Sequence, residues 1–162
     1  MTTQNFTLTG YQTLDRIYSG TRTLVYRGIR LWDQQPVAIK VLRSEYPSFS
    51  ELVQFRNQYT IAKNLNLPGI IPTYSLETYQ NSYALVMEDF GGISLKEWRE
   101  QGKTLPNLSE LLQMAIDISK TLDILGRHRI IHKDIKPANI LINPQTKEVK
   151  LIDFSIASLL PR

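Results

Sequence analysis

The 162-residue chain contains no cysteine, so it builds neither a disulfide framework nor a thiolate metal site, and the cytosol is its default compartment. It has no apolar run near the ~18 residues that a membrane-spanning helix needs. The N-terminal stretch Met1-Thr2-Thr3-Gln4-Asn5-Phe6 lacks the basic-then-apolar order of a signal peptide. A large charge of one sign is also missing: 19 Lys and Arg against 15 Asp and Glu leave a formal net charge of +4. The cations are spread along the chain, apart from a loose cluster at Arg127, Arg129, Lys133 and Lys136. A cluster that small suits one phosphate-bearing ligand better than a nucleic-acid face. No internal repeat or low-complexity tract occurs. What is present is a hydrophobic content of 42%, enough for a packed core and against disorder. The length fits one ordinary domain or part of a larger one.

The pattern divides the chain in two. In the first half, Tyr11 to Tyr18, Thr23 to Arg30 and Pro36 to Leu42 read as strands, parted by Gly20 and by the turn Asp33-Gln34-Gln35. Ser48 and Glu51 form the pattern of a capping box. Leu52, Phe55, Tyr59 and Ala62 then recur at helical spacing, with Pro68-Gly69 as the stop. Ile71 to Tyr79 and Tyr83 to Met87 are two further strands around Gln80-Asn81-Ser82. The expectation is one antiparallel sheet of five strands with a helix packed on it. The second half opens with Gly91-Gly92 as a flexible joint. A short helix, Leu95 to Glu100, is followed by a long one capped by Asn107 with Glu110 reaching back. Its expected buried stripe is Leu108, Leu111, Leu112, Ala115, Ser119, Leu122 and Leu125, and Gly126 is its expected stop. Residues 130–142 and 148–156 are short apolar runs around polar loops.

The chemistry concentrates in the second half. Residues 132 to 141 read His-Lys-Asp-Ile-Lys-Pro-Ala-Asn-Ile-Leu, and nineteen residues after Asp134 comes Asp153-Phe154-Ser155. Phosphoryl transfer needs a carboxylate near the attacking hydroxyl, oxygen ligands for Mg²⁺ and a cation on the phosphates. Asp134 can accept the hydroxyl proton, Lys136 can meet the γ-phosphate, and Asn139 can offer a carbonyl oxygen to the metal. Asp153 is a second hard ligand, set between Leu151-Ile152 and Phe154, where an unpaired charge is costly. Each piece has a plainer reading. Asp134 with Lys136 can be a surface ion pair, the strand Val37-Ala38-Ile39-Lys40 can end in a solvated lysine, and His132 can be a satisfied core histidine. The spacing of Asp134, Asn139 and Asp153 favours the chemical reading over these.

Taken together, these strings resemble the motifs of eukaryotic-type serine/threonine protein kinases of the kind found in bacteria. Residues 132–141 are similar to their catalytic loop, Asp153-Phe154-Ser155 to their Asp-Phe-Gly motif, and Val37-Ala38-Ile39-Lys40 to the strand whose lysine holds the α- and β-phosphates. The motifs run in order from about residue 11 to the end. The chain is also similar to kinase-like domains at the front of large bacterial sensor and ATPase proteins. The resemblance implies an α+β fold with a five-stranded antiparallel lobe and one helix (residues 11–90) and a partial, mainly helical lobe (residues 91–162). It implies ATP and Mg²⁺ as cofactors, with ATP between the lobes. Asp134, Lys136 and Asn139 would be catalytic, and Asn139 and Asp153 would hold the metal. Ile17, Gly20, Val25, Ala38, Lys40, Met87, Glu88, Phe90 and Leu141 would line the nucleotide site, the backbone of 88–92 meeting adenine. His132 would be structural.

The chain departs from the family pattern at several points. Of the glycine-rich loop only Gly20 remains in Tyr18-Ser19-Gly20-Thr21-Arg22-Thr23-Leu24-Val25, and the side chains of Tyr18 and Thr23 narrow the approach to phosphate. The helix glutamate that pairs with the strand lysine is replaced by Gln58. The only acid in that helix, Glu51, is about 10 Å away along the axis. Lys133 stands where the family has arginine, a point charge in place of a fork. Ser155 replaces a glycine. No Ala-Pro-Glu string occurs, so the activation segment would lie beyond Arg162 and the domain reads as C-terminally truncated.

Three functions stay in play. The first is a protein serine/threonine kinase domain acting on a protein substrate. The second is a catalytically impaired, nucleotide- or partner-binding regulatory module of a larger signalling protein. The third is a small-molecule kinase of the aminoglycoside type, which shares the Asp…Asn…Asp logic but not the lysine two residues after the first acid. Apolar faces, above all on the 108–125 helix, are expected to be exposed and covered by a partner domain or a second copy. No nucleic acid and no membrane span are expected.

Overall fold

The computed structural model describes residues 6–102 and 106–161; Met1 to Asn5, read above for a leader pattern, lie outside the described residues. The chain forms two compact units. One takes in Met1–Phe55 and Thr73–Asp89, and the other Arg56–Pro72 and Phe90–Arg162.

The first unit is a five-stranded antiparallel sheet. Its strands are β1 (Tyr11–Ser19), β2 (Thr23–Arg30), β3 (Gln35–Leu42), β4 (Thr73–Tyr79) and β5 (Ser82–Glu88), in the spatial order β1-β2-β3-β5-β4. The sheet forms because its central strands are near-continuous apolar runs, buried from Val37 to Val41 in β3 and from Ala84 to Met87 in β5. Val37, Ile39 and Val41 of β3 and Ala84 and Val86 of β5 bury on one face with Phe6, Leu8 and Tyr11. Phe6 seals that core by stacking on Tyr26 at 4.6 Å between ring centres. Each fully buried Val or Ile there stabilises the sheet by roughly 1.5–3 kcal/mol. Helix α1 (Phe49–Ala62) follows β3, and the boundary between the units falls within it. It starts where the sequence predicts. The Glu51 carboxylate accepts from the Ser48 backbone N–H at 2.8 Å, and the Glu51 N–H donates to Ser48 Oγ at 3.3 Å.

The second unit holds α2 (Leu95–Glu100), α3 (Leu108–Arg127) and two small sheets. In one of these, β6 (Ile93–Ser94) pairs with β8 (Ile140–Ile142), which pairs with β9 (Val149–Leu151). In the other, β7 (Ile130–Ile131) pairs with β10 (Ser158–Leu159). The core gathers Ile70, Trp98, Met114, Leu125, Ile140, Ile142, Leu151 and Phe154. Both helix starts match the expectation: Ser94 caps α2, and Asn107 with Glu110 forms a reciprocal capping box on α3.

Three expectations are corrected. The long helix does not bury the leucine stripe. It buries Met114, Thr121 and Leu125, with Ile118 packed beside them, a set at i, i+4, i+7, i+11. Of the predicted stripe only Leu125 is buried, while Leu108, Leu111, Leu112 and Leu122 are exposed, as is Ile116. The apolar arc of α3 is wider than one packing face, so periodicity marks the arc without choosing the flank. The exposed apolar face expected on this helix is therefore present. Gly126 does not stop α3, which runs to Arg127 with His128 as C-cap; Arg129, at φ 62°, takes the left-handed position beyond it. Pro68-Gly69 likewise does not end α1, which stops at Ala62.

Gly69 has a different task. Its φ is +80°, and a Cβ there would sit 2.0 Å from Thr121 Oγ1 of α3. Its carbonyl accepts from the Leu151 N–H at 2.7 Å, and Ile70 forms a parallel bridge with Leu151. Glycine is needed there because the backbone passes directly against α3. That contact seats β9, the strand that leads into Asp153.

Candidate functional site

In the second unit, His132 fixes the loop that carries the candidate acids. The Asp134 N–H donates to His132 Nδ1 at 3.3 Å, so Nδ1 is the acceptor and Nε2 donates to the Ile152 carbonyl at 2.9 Å. The ring edge packs on Phe154 with centres 4.8 Å apart. His132 is 3% exposed and spends both nitrogens on backbone, which fits a structural role. Lys133 stands at φ +67° and Asp153 at +66°, both in the left-handed region that L-residues seldom adopt.

Asp134, Lys136 and Asn139 come together. Asn139 Nδ2 donates to the Asp134 carboxylate at 2.8 Å and to its backbone carbonyl at 2.9 Å. Lys136 Nζ reaches the same Asp134 oxygen at 2.7 Å. Asn139 is buried and closes the 3-10 turn Pro137–Asn139, its N–H donating to the Lys136 carbonyl. The β8–β9 pairing then places the remaining acid. Ile140 lies opposite Leu151, and the Ile152 N–H donates to the Asn139 carbonyl at 3.0 Å. Asp153 therefore leaves the hairpin beside Asn139.

Among the described residues no group of three His, Cys, Asp or Glu side chains is arranged to hold a metal. Asn139 and Asp153 offer hard oxygen donors; the chain has no cysteine, and both His132 nitrogens are spent on backbone. That set fits Mg²⁺, which takes one or two protein ligands and fills its octahedron with water and phosphate oxygens. It does not fit zinc.

Beyond Asp153 the chain is tied down by contacts that sequence reasoning missed. Asn57 of α1 donates through Nδ2 to the carbonyls of Ser155 and Ala157, each at 3.1 Å. Lys133 donates to Ser158 Oγ, giving this lysine a hydroxyl partner in place of the phosphate that the family arginine holds. Neither contact has a local signal, since the Asn57 partners lie about a hundred residues away in sequence.

In the first unit, strand register sorts the candidate nucleotide residues. Val25 lies opposite Lys40, Lys40 opposite Leu85, and Ala38 opposite Met87, so these side chains share one face. It is the face turned away from the Val37–Ile39–Val41 core. A bulge in β1 adds to that face: Arg16 pairs with Tyr26 and Tyr18 with Val25, leaving Ile17 and Tyr18 together opposite Val25. Lys40 is 8% exposed, its ammonium 5.9 Å from the Phe55 ring centre. Glu88 pairs with Val37 and so belongs to the opposite face; it can contribute to the candidate site through its backbone only.

Gly20 sits in the β1–β2 turn without a positive φ, so the freedom expected of it there is not what it provides. It makes room for Tyr18, whose hydroxyl would lie 2.6 Å from a Cβ at position 20. The Tyr18 ring thus lies against the loop at Gly20. Arg43 braces the same turn, its guanidinium donating to the Gly20 carbonyl at 2.9 Å and its N–H to the Arg22 carbonyl at 2.8 Å.

Gln58 is 3% exposed, so a neutral amide is buried in the helix. In the second unit, Phe90 accepts from Asn143 Nδ2 at 3.2 Å and lies under Lys150 at 4.7 Å. Leu141 pairs with Ser94 and Lys150, while its neighbours Ile140 and Ile142 are buried in the core.

Comparison with known proteins identifies the family of this chain. The protein kinase domain profile matches residues 11–162. The chain is 34% identical over 151 residues to the serine/threonine-protein kinase PrkC of Bacillus subtilis, covering 93% of this chain and 23% of that protein. It is 30% identical over 152 residues to the probable serine/threonine-protein kinase PknB of Lactococcus lactis, covering 93% and 24% respectively. A plant relative, the serine/threonine-protein kinase TIO of Arabidopsis thaliana, is 32% identical over 148 residues. The chain spans about a quarter of the length of the first two relatives. No helix among the described residues is long and apolar enough to cross a membrane. With the profile matched over nearly the whole length, the chain belongs to the protein kinase domain family.

Proposed function

We propose that this chain is the ATP-binding and catalytic part of a protein serine/threonine kinase, transferring the γ-phosphate of Mg-ATP to a protein hydroxyl. Residues 11–90 form the ATP-binding lobe in this reading, and residues 91–162 form the lobe with the catalytic loop. The observation that carries it is the Asp134 carboxylate, aimed and partly neutralised by Asn139 at 2.8 Å and Lys136 at 2.7 Å.

Asp134 orients the attacking hydroxyl and takes its proton as the new bond to the γ-phosphorus forms, the bond to the bridging oxygen breaks and ADP leaves. Lys136, already beside that oxygen, balances the charge that develops on the transferred group. The Asn139 amide spends its N–H on Asp134 and keeps its carbonyl oxygen as a neutral metal ligand; Asp153 supplies the charged one. When bound, Mg²⁺ draws charge from the phosphate oxygens. In the first lobe, Lys40 contacts the α- and β-phosphates, while Ile17, Gly20, Val25, Ala38 and Met87 enclose the base and sugar. Glu88 contributes its backbone. A cytosolic setting accords with the lack of cysteine.

The test is phosphate transfer from labelled ATP to a generic protein acceptor. Wild-type transfer that requires Mg²⁺ and is lost in Asp134→Asn supports the reading. Transfer that survives Asp134→Asn overturns it.

A second reading, a regulatory module that binds nucleotide or a partner without turnover, is favoured by the buried Gln58 and by Tyr18 lying on Gly20. It predicts saturable ATP binding with no transfer under any metal. The exposed Leu108, Leu112 and Leu122 support a partner domain or a second copy on α3 in either case.

A further inference from the structure

We infer that Asn57 is a positioning residue for the metal ligand Asp153, and that it couples helix α1 to the Mg²⁺ site; this rests on the kinase reading above. Asp153 is held at φ +66°, a left-handed conformation uncommon for a residue with a Cβ, though less so for aspartate than for most. On its N-terminal side the restraint is visible: the Ile152 N–H bonds the Asn139 carbonyl and the Ile152 carbonyl accepts from His132. On its C-terminal side the chain turns through Phe154, Ser155 and Ile156, where Ser155 stands in place of the family's glycine. Within that turn the Ala157 N–H bonds the Phe154 carbonyl at 3.1 Å, and the Ser155 N–H reaches Asp153 Oδ1 at 3.3 Å.

Asn57 fastens this turn to the rest of the unit. One Nδ2 group carries two hydrogens and meets two carbonyls two residues apart, Ser155 and Ala157, each at 3.1 Å. Both hydrogens are thereby directed, and the carbonyls on either side of Ile156 are fixed at one point. A lysine or arginine could reach the same carbonyls, but only a short planar amide spans them from the helix backbone with one torsion beyond Cβ. The contact lies two residues from Asp153 Cα, so a loosened turn releases the carboxylate that must meet the metal. It also means that any movement of this part of α1 is transmitted to Asp153 through a pair of hydrogen bonds.

The roles of Asp153 and Asn57 separate in experiment. Asn57→Asp keeps the shape and replaces the donor by an oxygen facing two carbonyl oxygens; Asn57→Gln keeps the donor on a longer arm. Hydrogen exchange of the full chain, without nucleotide, should show amides of 153–158 exchanging about tenfold faster in Asn57→Asp, with α3 amides unchanged and Asn57→Gln between the two. Titrated with Mg²⁺ at fixed ATP, Asn57→Asp should need about tenfold more metal for half-saturation, as groups that orient a metal ligand typically do. Its metal-free ATP affinity should be unchanged.

A general structural defect would move metal-free binding, α3 exchange and the thermal melt together, and would overturn the inference. So would wild-type exchange at 153–158 in Asn57→Asp. If the wild type itself shows no Mg²⁺-dependent binding, the kinase reading fails, while the exchange comparison still decides whether Asn57 holds the turn.

Discussion

Replacing Gly69 by alanine should be among the most damaging single-methyl changes in the chain. Two costs add. A φ of +80° is unfavourable for any residue with a Cβ by about 1–2 kcal/mol. The new Cβ would lie 2.0 Å from Thr121 Oγ1 and 3.1 Å from Thr121 Cβ and Cγ2, and forcing extra volume into a packed site costs about 1–3 kcal/mol. The sum, roughly 2–5 kcal/mol, is a large share of the roughly 5–15 kcal/mol that holds a typical domain folded. The two tryptophans allow the effect to be localised, since Trp98 is buried in the same core and Trp32 belongs to the first unit. Urea unfolding of Gly69→Ala in a Trp32→Phe background, followed by Trp98 fluorescence, reads the second unit directly. Thr121→Ala added to Gly69→Ala should recover the steric share and leave the backbone share, a coupling of about 1–3 kcal/mol. A Gly69→Ala protein within about 0.5 kcal/mol of wild type would refute the close approach, as would a double variant no better than the single one.

Further expectations follow from other contacts. Leu125→Ala should cost about 2–5 kcal/mol in the same unfolding assay, whereas Leu112→Ser on the exposed face should stay within about 0.5 kcal/mol; equal effects would mean the helix packs through the other flank. Arg43→Ala removes the brace on the Gly20 turn and should raise the KM for ATP about threefold to fivefold with kcat little changed; a loss confined to kcat would contradict that role. The Ser48 backbone N–H, and then its hydroxyl, hold the Glu51 carboxyl below its ordinary value. The stabilisation from that cap is fully present above the unfolded carboxylate pKa and is lost as pH falls through the lower folded value. Wild type should therefore be more stable than Glu51→Gln at neutral pH and converge on it in acid, and a pH-independent gap would sink the assignment.

The sequence made legible what is local. The capping boxes at Ser48–Glu51 and Asn107–Glu110 need only residues three apart, and both form. The strand around Val37-Ala38-Ile39-Lys40 announces itself by a short β-branched apolar run, and the Asp134–Asn139 pair is fixed by a five-residue spacing that one 3-10 turn spans. What escaped depends on distant partners. Gly69 looks like a helix stop until α3 is seen against it. Asn57 is one polar residue on a helix until the turn at Ser155 and Ala157 meets it. The buried flank of α3 could not be chosen because Leu108, Leu112 and Leu122 repeat as regularly as Met114, Ile118 and Leu125. In β1 two register shifts changed which side chains join Val25, and a period-two reading has no means of anticipating them.

The central claim is that Asp134, Lys136, Asn139 and Asp153 form a working Mg²⁺-dependent site. The most direct measurement is calorimetric titration of the chain with ATP, with and without Mg²⁺, for wild type and Asp153→Asn. The account predicts saturable binding that Mg²⁺ strengthens in the wild type, with that strengthening lost in Asp153→Asn. Identical isotherms for both proteins, or no binding at millimolar ATP, would contradict it.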